Sequence, residues 1–166
     1  MTSKYEAEKY ILYFDELQEK NPSVPVELYR DQLLRWGTPP DKVNAIIHMV
    51  DPEKKGFISR NDILNGINYD PVRPRALKDV KYLNCDMPAM QRDSVTLFVL
   101  EIATQQKRKP EMLRQLKSRL EAVYGGDWTC FISEGRYWAT NVHKPGTCLV
   151  FTYDGYVYGV HDSPST

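Results

Sequence analysis

Thr147-Cys-Leu-Val-Phe-Thr-Tyr-Asp-Gly-Tyr-Val-Tyr-Gly-Val-His161 is the stretch that decides how the second half of this chain folds. Two runs rich in β-branched and aromatic residues, 147–153 and 156–161, flank Asp154-Gly155. Such runs favour strands, and Asp-Gly supplies the positive φ angles of a two-residue hairpin turn. Leu149, Phe151 and Tyr153 then share one face, because side chains alternate along a strand. Upstream, 128–132 and 136–142 read as two further strands. Gly125-Gly126 ends a helix over 111–124, whose Leu113, Leu116, Leu120 and Val123 recur at helical spacing. Lys107-Arg-Lys-Pro110 interrupts as a solvated turn. Before it, Pro88 opens a helix to about 106, with Val95, Phe98 and Ile102 on one side. A strand over 79–84 comes first. One strand, two helices and four strands make an α+β arrangement.

The first half has a different grammar. Ala7, Tyr10, Phe14 and Leu17 repeat at helical spacing, and Asn21-Pro-Ser-Val-Pro25 breaks the pattern. A second helix, 27–36, stops at Gly37-Thr-Pro-Pro40. Val43, Ile46, Ile47 and Val50 give the clearest 3.6-residue stripe. A short helix over 60–67 closes this part. Asn68-Tyr-Asp-Pro-Val-Arg-Pro-Arg75 carries two prolines and reads as a linker. The expected division is an all-helical part over 1–68, a linker over 69–78 and the α+β part over 79–166. Residues 1–70 carry nine basic against twelve acidic side chains, and residues 71–166 carry thirteen against ten.

Between the last two helices of the first half lies Asp51-Pro-Glu-Lys-Lys-Gly-Phe-Ile-Ser-Arg-Asn-Asp62, which has the frame of an EF-hand calcium loop. Asp51, Glu53, Ser59 and Asp62 fall on ligand positions 1, 3, 9 and 12. Gly56 falls on the sharp turn, and Phe57 on the position that ligates through its carbonyl. Lys55 takes position 5, where an oxygen is needed, and Asp62 is one methylene shorter than the usual bidentate Glu. The expectation is weak or lost Ca²⁺ binding, with Mg²⁺ as the alternative for a site of fewer ligands. Aligning Val26 with Ile58 gives a partner loop with Glu19, Asn21, Ser23, Val24 and Arg30 at positions 1, 3, 5, 6 and 12. That loop has no glycine at the turn and an arginine at the end, so it is expected to bind nothing.

Composition bounds the rest. The chain has 166 residues, 42% of them hydrophobic and 27% charged, with 22 basic and 22 acidic side chains. This is the balance of a folded protein and not of a disordered one. It gives no electrostatic footprint for nucleic acid. There is no apolar run of about eighteen residues, so no transmembrane helix is expected. The first twenty residues lack the apolar core of a secretory signal. Cys85, Cys130 and Cys148 lie far apart without metal-ligand spacing and read as reduced thiols.

Lys81-Tyr-Leu-Asn-Cys-Asp-Met87, the helix from Pro88, the helix ending Val123-Tyr124, Trp128-Thr-Cys130 and Gly135-Arg-Tyr-Trp-Ala-Thr140 together resemble cytoplasmic dynein light chains. An EF-hand pair followed by such a domain resembles the tegumental allergen-like calcium-binding proteins of parasitic flatworms, in which the His143-Lys-Pro145 turn recurs in similar form. The resemblance implies a non-catalytic, cytoplasmic protein of the tegument and an antigen. It implies an adaptor that recruits an extended peptide by adding a strand to a sheet edge, and a homodimer formed through the sheet. By this resemblance the edge strand is 136–142. The groove tyrosine falls on Trp138, the groove threonine on Thr140, and two neighbouring aromatic positions on Leu149 and Phe151. The histidine of the dimer interface falls on Asn141, which does not titrate. A Glu-Lys pair that grips a peptide glutamine falls on Lys109-Pro110, and the strand-exchange stretch is recast around His143-Lys-Pro-Gly146.

Two rival readings stand beside the adaptor. One is a metal-independent dimeric scaffold. The other is a thiol enzyme using Cys130 or Cys148 with His143 or His161, although no nucleophile motif surrounds them. Most aromatics of the last third are expected to pack across strands, with Trp138 reserved for function.

Overall fold

The computed structural model describes residues 5–69, 76–105, 108–134 and 143–163. The chain divides into two compact units, Met1–Ala76 and Leu77–Thr166.

Among the described residues the first unit holds four helices, α1 (Glu6–Lys20), α2 (Val26–Arg35), α3 (Pro40–Val50) and α4 (Arg60–Gly66). Its core is aromatic and aliphatic: Phe14, Tyr29, Leu33, Val43, Ile46 and Ile63 are buried. Tyr13 stacks on Trp36 with ring centroids 5.1 Å apart, and Phe14 meets Tyr29 edge-on at 6.3 Å. The Tyr29 hydroxyl satisfies itself by donating to the Tyr10 carbonyl at 2.8 Å. Burial of that phenol raises its pKa, so it stays a donor at any physiological pH. The α1–α2 and α3–α4 hairpins are bridged by two-residue strands, β1 (Val24–Pro25) and β2 (Phe57–Ile58).

The bridge corrects one expectation. Val24, not Val26, lies opposite Ile58, and Pro25 lies opposite Phe57. The reason is local. Pro25 keeps its extended backbone (φ −64°, ψ 144°), and the helix begins at Val26, which is therefore no longer free to sit in a strand. Shifting the frame by two residues puts Leu17 and Leu28 at the first and last ligand positions, and neither side chain can ligate an ion.

The second unit begins with β3 (Lys81–Cys85), continues with α5 (Ala89–Gln105) and α6 (Lys109–Tyr124), and ends with β4 (Trp128–Glu134), β5 (Leu149–Tyr153) and β6 (Tyr156–Asp162). The four strands form one antiparallel sheet in the order β3-β5-β6-β4. Asp154 and Gly155 join β5 to β6 with φ of 51° and 82°, the positive pair that the hairpin reading requires. α6 begins at Lys109, two residues earlier than expected, because Pro110 in the first turn lacks an N–H that would have had no partner there. The expected strand 136–142 lies outside the described residues.

The inner strands are covered on both faces. Leu149 and Phe151 on one side of β5 and Cys148 and Val150 on the other are all buried. Phe131 packs with Cys148, Val150 and Val157 on the second of these faces. α5 contributes Val95, Val99, Leu100 and Ile102, and α6 contributes Met112, Leu116, Leu120 and Val123 to buried positions. No described helix is long and apolar enough to cross a membrane.

Candidate functional site

The calcium-loop frame is present in the first unit, but its oxygens are engaged with the backbone. Asp51 follows the last turn of α3. Its two carboxylate oxygens accept from Lys55 N at 2.9 Å and Gly56 N at 3.1 Å. Lys54 (φ 54°) and Gly56 (φ 88°) carry the chain through the left-handed region, which accounts for the glycine at this point. Ser59 and Asp62 do come together, as a capping box: Asp62 N donates to Ser59 Oγ at 3.2 Å and Ser59 N donates to Asp62 Oδ2 at 2.8 Å. Glu53 is exposed and faces the Lys55 ammonium at 3.4 Å. Phe57 is 56% exposed on β2. Asp51, Glu53 and Asp62 are not gathered: among the described residues no group of three or more His, Cys, Asp or Glu side chains could hold a metal ion.

In the second unit, Trp138, Thr140 and Asn141 lie outside the described residues. Leu149 and Phe151 are placed in the core, 0% and 1% exposed, so in the single chain they offer no surface to a docked peptide. Phe151 stacks on Tyr158 with centroids 5.3 Å apart and meets Tyr82 edge-on at 6.3 Å. What the sheet offers to strand addition is its margins. Among the described residues β3 pairs only with β5 and β4 only with β6, so each keeps an outer row of main-chain groups. Lys109 has left the turn assigned to it and lies over the Tyr156 ring, its Nζ also 3.2 Å from Glu134 Oε1.

Asp86 is a site residue that sequence reasoning missed. Its carboxylate accepts from His143 Nε2 at 3.0 Å, Gly146 N at 3.1 Å and Cys148 N at 2.8 Å, which ties the 143–148 turn to the end of β3. An acid two residues ahead of Pro88 looks like a helix-start residue, so the sequence concealed its long-range partners.

The thiols do not support nucleophilic chemistry. Burial pushes Cys130 up to about 12, and burial also raises Cys85 and Cys148. A nucleophilic cysteine needs the opposite shift.

A helix pair packed with an antiparallel sheet, entered by one strand and closed by a hairpin, is the architecture of the dynein light chains. Residues 79–160 match the family model described as dynein light chain type 1, and the second unit is a dynein light chain-like domain. Over 89 residues the chain is 29% identical to "Antigen Sm21.7" of Schistosoma mansoni. The aligned stretch is 52% of this chain and 48% of the antigen, so the match spans about half the length of that relative. Among solved structures, the dynein light chain-like domain of the Fasciola hepatica calcium binding protein FhCaBP2 is 21% identical with a TM-score of 0.50, covering 56% of this chain and 100% of that one. The corresponding domain of CsTAL3 is 18% identical with a TM-score of 0.48, covering 55% and 100%.

Proposed function

We propose that this protein is a non-catalytic adaptor of the flatworm tegument. Its second unit recruits an extended peptide by strand addition around Trp138, Thr140 and Asn141, and its first unit is an EF-hand-like helical pair with weak or lost calcium binding. The observation that carries the reading is the light-chain-like sheet over residues 79–160, whose outer strands β3 and β4 each have one unpaired margin among the described residues. Such a margin supplies main-chain hydrogen bonds to any extended segment, and side-chain pockets beside it supply selectivity. The raised thiols argue against the thiol-enzyme reading. The Schistosoma antigen relative supports a flatworm setting, and the tegumental, cytoplasmic placement follows from the family resemblance alone. Peptide selection on the full chain, followed by titration of a selected peptide into the protein and into Trp138→Ala, tests this. The selected peptide should bind the parent and lose at least about tenfold in affinity to the variant. Equal affinity for both would remove the groove from the strand around Trp138.

A second reading, a metal-independent scaffold that dimerises through the sheet, is favoured by the engaged carboxylates of Asp51 and Asp62. The two readings part on a calorimetric titration of Ca²⁺, then Mg²⁺, with Asp51→Ala as the control. The mass of Trp138→Ala in solution, set beside that of the parent, shows whether the same strand holds two copies together.

A further inference from the structure

The first unit contains a cavity of about 410 Å³ that the adaptor reading leaves unused. That volume lies within the roughly 300–1,000 Å³ of small-molecule sites. Three elements build it: the first turns of α2, the last turns of α3, and the loop from Asp51 to Gly56. The buried Val26 and Ile47 supply apolar lining. The polar groups are unequal in what they leave free. Asp51 turns both carboxylate oxygens onto loop N–H groups. Arg30 is held in place, Nη1 donating to Asn44 Oδ1 at 2.6 Å and Nε standing 3.4 Å from Glu27 Oε1, which leaves Nη2 with donors to spare. The Lys54 ammonium and the His48 ring line the same cavity, and neither has a partner among the described residues. Donor capacity exceeds acceptor capacity over an apolar lining. The spare Nη2 donors of a guanidinium fixed by two neighbours, with an unpaired ammonium lining the same cavity, are suited to the oxygens of an anion.

We propose that this cavity binds a small amphipathic carboxylate, with the acid group on Arg30 and Lys54 and the hydrocarbon over Val26 and Ile47. Glu27 at the rim and the desolvated Asp51 disfavour a dianion, because each added negative charge would face them. The site stands whether or not the second unit recruits a peptide.

The test uses the full chain, freed of calcium, with 2-naphthoate, 2-naphthamide and 2-naphthylmethylamine as a series that varies the charge on one ring system. Amide proton–nitrogen correlation spectra report each titration. 2-Naphthoate should shift the Val26, Ile47 and Gly56 signals saturably, and the amide and amine should bind at least about tenfold more weakly. Arg30→Gln and Lys54→Asn should each weaken the naphthoate severalfold and leave the amide unchanged. Arg30 is partly and Lys54 fully at the surface, and Asn accepts the left-handed backbone of Lys54, so both variants should stay folded, which their thermal unfolding checks. Absence of saturable shifts at millimolar naphthoate overturns the proposal. Equal binding of the three probes, or full naphthoate affinity in both variants, overturns it as well.

Discussion

His143 Nε2 donates to Asp86 Oδ2 across 3.0 Å, joining residues 57 positions apart in the sequence. With the amides of Gly146 and Cys148 on the same carboxylate, this is one anchor of the 143–148 turn to the sheet, and the bonds of Lys144 N and Thr147 Oγ1 to the Asp162 backbone are another. Burial works against the ionised acid, but the hydrogen bonds from Cys148 N, His143 and Gly146 N outweigh it and hold Asp86 below the ordinary carboxylate range. Ring against ring, His143 stands 6.3 Å from His161, whose pKa is lowered by burial and by the neighbouring imidazole.

Both shifts make acid destabilising, in two stages. A lowered histidine stabilises the fold above its unfolded pKa of about 6.5, and that contribution is lost as pH falls below this value towards the folded pKa. A lowered carboxylate stabilises the fold above about pH 4 and is lost as pH falls through its folded pKa. Thermal midpoints measured from pH 8 to pH 3 should therefore decline first below about 6.5 and again below about 4. Asp86→Asn should flatten the second decline and leave the first. An unaltered acid limb in that variant would show that Asp86 does not hold the turn.

Gly159 lies opposite Phe131 in the β4–β6 register, and a Cβ there would fall 2.1 Å from the Phe131 ring. The glycine is required by this close approach, since its backbone is ordinary. Gly159→Ala should cost about 1–3 kcal/mol, the usual range for overpacking, read as a lower denaturant midpoint at unchanged slope. Phe131→Leu in the same chain should recover part of the loss. If the double variant is as unstable as the two single losses added together, the ring does not occupy that space.

What could be read in the sequence depended on whether the deciding signal was local. Asp154-Gly155 is local: two residues fix a turn, and both φ angles are positive as the dipeptide demands. The Val24–Ile58 register was not, because whether Val26 opens a helix or extends a strand depends on Pro25 and the facing loop. Ser59 and Asp62 show why the loop was ambiguous. Ser-x-x-Asp spells two calcium-ligand positions and also a capping box, and it is the box that the fold uses. Leu149 and Phe151 were assigned to a groove by resemblance, and alternation alone could not tell a groove face from a core face when both faces of β5 are buried.

Alkylation should separate a binding protein from a thiol enzyme. At pH 7.5 Cys130, raised to about 12, holds almost none of its thiolate form, and burial disfavours the thiolates of Cys85 and Cys148 too. Iodoacetamide should label all three more slowly than free cysteine, Cys130 by more than about tenfold. One thiol labelled faster than free cysteine would reopen the catalytic reading.

The calcium loop allows a gain-of-function prediction, because its two chemical deficits can be repaired without disturbing what the residues now do. The Lys55 side chain is exposed and pairs with Glu53 among the described residues, so Lys55→Asp removes a cation and supplies an oxygen at position 5. Asp62→Glu supplies the longer, two-oxygen ligand at position 12, and Glu is also a preferred third residue of the capping box, so the start of α4 keeps its cap. The double variant should take up one Ca²⁺ by calorimetry and unfold at a higher temperature in its presence, and the parent should respond far less. Asp51→Ala added to the double variant should abolish the response, since position 1 then has no oxygen. If the double variant ignores Ca²⁺, the ligand set is not what limits the loop. The limit would then lie in the backbone bonds that Asp51 makes to Lys55 and Gly56, which an incoming ion would have to share.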